Sequence, residues 1–455
     1  MRDRPATAGE KKGLTMDTDR AAAPEREPET LRGPQMRRIL ASSFMGSAIE
    51  FYDFMLYATA AAVVFPRVFF AELNPALASF AAFGTLAAGY VARPLGGLVF
   101  GHFGDRIGRK GVLVTSMLAM GIATTLIGLL PSTAQAGSVA VVLLVLLRVV
   151  QGIAVGGEWG GAMLIAIEHA PGGKRGFAAS FANLGAPAGS LLAAGALSLA
   201  SLLPDAQFFS WGWRIPFLLS VLLVSIGLFI RLKVAESPLF RQFEDEAQHR
   251  RIPIVEVLTR HPRNLVLGTL VAISQLTISG IASVWAVNHA VTQGADKTGV
   301  LNSKALAAIA LFLATLVSAR LCDRFGRRPI LIGGIVAAML FAYPLLLLVQ
   351  SGTVAGFTVA VMVGQGIQGV ILGPLAAFLA ELFPTSVRFT GSSLCFQGAS
   401  TLGAGFTPAI AAALVGAAGG GILLLGGVWI GALAVCLLAA YLATEGRRRD
   451  LASIR

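Results

Sequence analysis

Five ionisable side chains stand inside otherwise apolar stretches of this chain: Glu50 and Asp53, then Arg93, Arg148 and Glu158. A charge taken out of water is costly unless a partner or a cavity receives it, so each of the five marks a candidate site. Glu50 and Asp53 are i,i+3, and Tyr57 follows Asp53 at i+4, which puts all three on one helix face. Arg148, Gln151, Val155 and Glu158 make a second such face, with Gly156, Gly157, Gly160 and Gly161 as a close-packing side beside it. Arg148 lies in the apolar run 141–150 with no local acid. Arg93 precedes Pro94, and proline frees a carbonyl one turn earlier, so Arg93 serves either that backbone or a ligand. The chemistry within reach is proton binding by a buried carboxyl and carboxylate binding by a buried guanidinium.

The elements that must position these groups are membrane helices. The 455 residues are 55% hydrophobic and 13% charged, with a mean hydropathy of +0.74, where a soluble domain carries about 25% charged residues. A span needs about 20 mostly apolar residues. Twelve such stretches occur, near 38–66, 76–103, 111–130, 138–169, 176–202, 213–232, 263–292, 303–321, 329–350, 353–382, 389–416 and 419–443. The expected organisation is a disordered cytoplasmic tail over 1–37, a six-helix bundle over 38–232, a central cytoplasmic loop over 233–262, a second six-helix bundle over 263–443 and a short tail over 444–455. The 53 glycines suit closely packed membrane helices.

Lysine and arginine set the orientation. With the N-terminus inside, the inner segments hold Arg37, Arg38, Arg106, Arg109, Lys110, Lys174, Arg175, Arg324, Arg327, Arg328 and the run 447–449, while the outer loops and adjoining span ends hold only Arg67, Arg214, Lys297 and Lys304. Both termini are therefore expected in the cytoplasm. The net charge of +12 reads as this topology signal, so no nucleic-acid partner is expected. Cys322, Cys395 and Cys436 stand apart, in no metal or disulfide spacing. No Gly-x-x-x-x-Gly-Lys-Ser/Thr loop occurs. An enzyme, a cofactor, a metal site and ATP-driven pumping are not expected.

The two bundles look like copies of each other. Gly101-x-x-x-Asp105-Arg106-x-Gly108-Arg109-Lys110 returns as Ala319-x-x-x-Asp323-Arg324-x-Gly326-Arg327-Arg328, with the aspartates 218 residues apart. Glu168-x-x-Pro171-x-x-x-Arg175 returns as Glu381-x-x-Pro384-x-x-x-Arg388, and Gln151-Gly152 as Gln368-Gly369, at offsets of 213 and 217. Two pseudo-symmetric halves of an all-α transporter carry internal repeats of this kind. An aspartate inside each basic connector can accept from a neighbouring helix N-terminus, and the basic residues can pair with acids such as Glu168 and Glu381. Asp105, Arg106, Arg109, Asp323, Arg324, Arg327, Glu168 and Glu381 are thus expected to latch one conformation; the alternative is a solvated loop that only sets topology.

The connector after the second span resembles the signature of the major facilitator superfamily, and Arg148-x-x-Gln151-Gly152-x-x-x-Gly156-Gly157-Glu158 resembles its fourth-helix pattern. Glu50-Phe51-Tyr52-Asp53-Phe54, Tyr90-x-x-Arg93-Pro94-x-Gly96, Glu236-Ser237-Pro238 and Glu381-Leu382-Phe383-Pro384-Thr385-x-x-Arg388 narrow this to the metabolite:proton symporter family. The resemblance covers about 38–443. It implies a proton-coupled importer of a small organic acid, shikimate-like or a dicarboxylate, in the inner membrane. The alternatives are a zwitterionic compatible solute such as proline or betaine, and a non-transporting sensor on the same fold.

In that reading Asp53, with Glu50 as the second candidate, carries the proton. Deprotonated Asp53 pairs with Arg148, and protonation releases Arg148 to the substrate. Arg148, Arg93, Tyr57, Gln151 and Glu158 are the substrate-binding candidates of the first half. When Gln368-Gly369 is aligned with Gln151-Gly152, Gln365 takes the place of Arg148. The second half therefore offers neutral groups, Gln275, Asn288 and Gln397 foremost. Thr277, Ser279, Trp285 and His289 are also available, although His289 reads more readily as a solvated residue near the outer end and Trp285 also as an interface aromatic. A monomer in the lipid bilayer, with protons and a small molecule as partners, is the expected working unit.

Overall fold

The computed structural model describes residues 33–106, 109–156, 174–232 and 253–446, with a few positions between 160 and 167. The rest of the expected tails, part of the central loop, Glu158 and Glu168 lie outside the described residues, as do the side chains of Asp105, Arg106 and Arg109.

The described chain is helical nearly throughout. The spans are α1 (Gly33–Val63), α2 (Pro75–Arg106), α3 (Arg109–Leu129), α4 (Ser138–Gly156), α5 (Arg175–Ala200) and α6 (Arg214–Leu232). After a short helix at Pro253–Arg260 come α7 (Pro262–Thr292), α8 (Lys297–Phe325), α9 (Arg327–Gln350), α10 (Val354–Glu381), α11 (Arg388–Ala417) and α12 (Leu423–Leu442). At 31 residues, α1 is about 46 Å long at ~1.5 Å per residue, enough to cross a bilayer. Large apolar side chains point outward along the bundle, among them Phe80, Leu199, Leu340 and Leu423. Lipid is the solvent that accommodates such a belt.

These helices fall in the apolar stretches of the sequence, and nine or ten of those described are long and apolar enough to cross a membrane; one start differs with a consequence. α8 begins at Lys297 rather than near 303, because Asp296 caps it: its carboxylate accepts from the Gly299 N–H at 2.7 Å. Lys304 is therefore two turns inside a membrane helix and not at its outer end.

Packing repeats between the halves. α1 lies on α5, α2 on α4 and α3 on α6; in the second half α7 lies on α11, α8 on α10 and α9 on α12. The halves meet through α5 with α8 and α2 with α11, two pairs that exchange when the halves are swapped. α2 and α4 cross so closely that a Cβ on Gly96 would stand 1.9 Å from the Ile153 carbonyl oxygen, and one on Gly152 2.1 Å from that of Gly89. Only glycine permits this approach.

Among the described residues, hydrogen bonds join the halves along the helices and again at the bundle end where α5 and α9 begin. Asn183 Nδ2 donates to the Leu372 carbonyl at 2.7 Å, Thr401 Oγ1 to Tyr90 at 2.8 Å, and Gln397 Nε2 to Val155 and Gly156 at 3.4 and 3.3 Å. At that end, Asp323 accepts from the backbone of Gly176 and Phe177. The halves are thus tied to each other at this end.

Candidate functional site

Arg148 is 1% exposed, and no carboxylate among the described residues meets it. Its guanidinium lies 4.0 Å over the Tyr57 ring and 4.6 Å over Phe54, both from α1. Nη1 donates to Gln151 Oε1 at 3.0 Å, and Gln151 Nε2 donates in turn to Thr124 Oγ1 at 2.7 Å. Aromatic faces take the place of a counter-anion here. Gly89 opens the room: a Cβ there would stand 2.4 Å from Arg148 Nε. Nε and Nη2 have no hydrogen-bond acceptor.

Arg93, 5% exposed, lies 4.2 Å over the Phe54 ring as well and 4.6 Å over Tyr90. Phe54 thus serves two guanidiniums whose like charges act on each other. The Glu50 carboxylate acts electrostatically on Arg93. Asp53 is turned to another neighbour: Ser220 Oγ of α6 donates to it at 2.6 Å. The expected Asp53–Arg148 ion pair is therefore not formed in this conformation. The physical reason is local, since Ser220 engages the carboxylate and the Phe54 and Tyr57 faces hold the guanidinium. Arg93 lines the central cavity, over the rings of Phe54 and Tyr90.

A cavity between the halves encloses about 820 Å³ of space not filled by atoms, its open mouth included. Phe54, Tyr90 and Arg93 line it from the first half, together with Asn183 of α5. Gln275, Ser279 and Ser283 of α7, Lys304 of α8, and Gln365 and Gln368 of α10 line it from the second. Gln368 donates to Gln275 Oε1 at 3.0 Å, and Gln365 to Ser283. Of the second-half candidates, Gln275 is in the wall. Asn288 is not among the lining residues, and Gln397 is spent on the α4 carbonyls. Thr277 accepts from Trp429 Nε1 at 3.2 Å, and His289 stacks on Trp285 with centroids 4.7 Å apart. Tyr57 and Gln151 stand behind the wall, holding Arg148; Tyr57 donates to Thr85 Oγ1 at 2.7 Å.

Lys304 is the residue that sequence reading placed elsewhere. The signal was present, because an aspartate just ahead of an apolar-periodic run is a candidate helix N-cap. Counting from that start carries Lys304 into the span, on one face with Ala308 and Leu311, which also line the cavity. Phe54 and Tyr90 lay within quoted motifs without a role, and Asn183 carried no signal at all.

The major facilitator superfamily model matches residues 43–396. The chain belongs to that superfamily. Among its metabolite transporters, the chain is 43% identical to the inner membrane metabolite transport protein YhjE of Escherichia coli K12, over 91% of this chain and 95% of that one. It is 40% identical to the shikimate transporter of the same organism, over 85% and 89%. It is 34% identical to the proline/betaine transporter of Salmonella typhimurium, over 84% and 78%. The solved proton:xylose symporter XylE shares the fold with a TM-score of 0.74 at 18% identity, over 91% and 97% of the two chains. The chain is thus a multi-pass membrane transporter and not an enzyme.

In this member of the superfamily the second-half connector is the one whose side chains are described. Asp323 accepts from the N–H groups of Gly176 and Phe177, each at 2.9 Å, at the start of α5. The unsatisfied donors of a helix N-terminus favour a carboxylate. Arg327 bridges Asp323 at 3.4 Å and Glu381 at 3.0 Å. Glu445 accepts from the backbone of Arg327 and Arg328, and Gly326 turns the chain between α8 and α9 at φ +104°. Arg324 is exposed beside Phe325 and stands outside this network. Arg388 donates to the carbonyls of Ala380 and Phe383, pinning the turn after α10.

Proposed function

We propose that this transporter imports a small organic acid together with protons across the inner membrane, both termini lying in the cytoplasm. The observation that carries the reading is the charge of the cavity. Arg93 and Lys304 line it, and no acidic residue is among the described residues that do. Such a wall favours an anion over a neutral or zwitterionic solute. A quaternary ammonium would need a free aromatic face, and the faces of Phe54 and Tyr90 already carry Arg93. Positive-inside loops support the orientation, and the likeness to a shikimate transporter, stronger than that to the proline/betaine transporter, supports the substrate class.

Coupling is assigned to the α1 carboxylates. Glu50 acts on Arg93, so a proton on Glu50 frees Arg93 for the substrate carboxylate, which restores the lost charge. Asp53 is the second carrier, and its bond to Ser220 links the proton to α6. The alternating pairing keeps a buried cation from standing alone, a state that costs several kcal/mol. The test uses proteoliposomes with Glu50→Gln and Asp53→Asn. The carrier's variant retains substrate counterflow and loses accumulation driven by a pH gradient. Accumulation preserved in both variants would remove α1 from coupling, and uptake of proline or betaine in preference to any organic acid would overturn the substrate class.

A further inference from the structure

Lys304 has no place in the coupling scheme, and its position calls for one. A lysine two turns inside a membrane helix is expensive unless it faces a cavity or a partner. Among the described residues it makes no hydrogen bond or ion pair, and its side chain lines the central cavity. It stands on the half opposite Arg93, whose Nε also lacks an acceptor. The rest of the described lining carries no charge, and its polar members include Asn183, Gln275, Gln365 and Gln368.

We propose that Lys304 is a second anion subsite and that the transported substrate is a dianion, a small dicarboxylate spanning the two halves from Arg93 to Lys304. This rests on the reading of the cavity as an organic-acid site. A substrate with one carboxylate would leave Lys304 unmatched in the loaded cavity, since no acidic residue is among the described residues that line it. One with two satisfies a cation on each half and pulls the halves together. Lys304 is then a specificity-determining residue, and the substrate's charge count is read by two helices, α2 and α8, that occupy equivalent places in the repeat.

The test compares matched pairs differing by one charge and little in shape, succinate with succinamate and glutarate with glutaramate, in proteoliposomes under a pH gradient. The wild-type protein is expected to favour each dicarboxylate over its monoamide by at least tenfold in kcat/KM. Lys304→Gln is expected to bring that ratio to within about threefold, mainly through the KM of the dicarboxylate, and Lys304→Arg to restore it. Thermal stabilisation by succinate in detergent supplies the same ratio without transport. Equal preference for acid and monoamide in the wild-type protein, or an unchanged ratio in Lys304→Gln, overturns the dianion assignment. In either case pH-driven uptake of a monocarboxylate would still uphold the organic-acid reading, whereas uptake of zwitterions alone would end both.

Discussion

At the scale of single residues, Arg148 shows how a buried cation is kept without an acid. Two aromatic faces and one amide hold it, and each desolvated cation–π contact contributes about 1–2 kcal/mol. A lysine would keep the charge but lose the planar fork that bonds Gln151 while stacking on Tyr57. Arg148→Lys is therefore expected to reduce transport at least tenfold, with the protein still monodisperse in detergent. Near-normal uptake would reduce Arg148 to a packing cation. The isolated charge in an apolar run was legible in the sequence. Its partners were not, since Phe54, Tyr57, Gly89 and Thr124 come from three other helices and only the crossing of α2 with α4 brings them together.

Among the elements, that crossing is the most demanding. A Cβ on Gly96 would meet rigid backbone, the Ile153 carbonyl oxygen at 1.9 Å, whereas one on Gly84 meets nothing within 4 Å. Overpacking costs about 1–3 kcal/mol where neighbours can yield, and more against backbone. Gly96→Val should lower the melting temperature and the monodisperse yield sharply. Gly84→Ala, on the same helix, should match or slightly exceed the wild type. Equal losses would mean that helix propensity and not the crossing sets the requirement. Two further devices sit at cavity level: a wide π-turn at Gly280–Trp285 in α7 and another at Ser400–Gly405 in α11. They carry Ser283, Ser400 and Ala404 into the wall, and inserted turns of this kind recur at functional sites. No sequence signal announced them, because a π-turn forms when tertiary packing repays its poorer hydrogen bonds.

For the whole molecule, the tie between the halves at Asp323 is where the conformational balance is expected to be held. Asp323 ties the second half to the first through two charge-assisted bonds, each of about 1.5–3 kcal/mol. Asp323→Ala should shift the population away from the form in which this tie is made by roughly tenfold or more. Spin labels across the α5–α8 contact would read a longer distance, and exchange would slow while substrate affinity changed little. Unchanged distances would return the connector to a role in topology alone.

The sequence by itself determined the twelve spans, the repeat and the family. Those follow from local hydropathy, loop charge and motif spacing, which each segment carries within itself. It also marked Glu50, Asp53, Arg93 and Arg148, because a charge in an apolar run is conspicuous wherever the run ends up. Only the tertiary structure decided which charges meet. Asp53 turned to Ser220 across 167 residues of chain, Arg93 and Arg148 came to share Phe54, and Lys304 entered the cavity wall. Helices of one apolar pattern can be rotated about their axes at little cost in burial, so composition leaves the rotation open. It is settled by close contacts such as Gly96 against Ile153, which exist only once the helices have crossed.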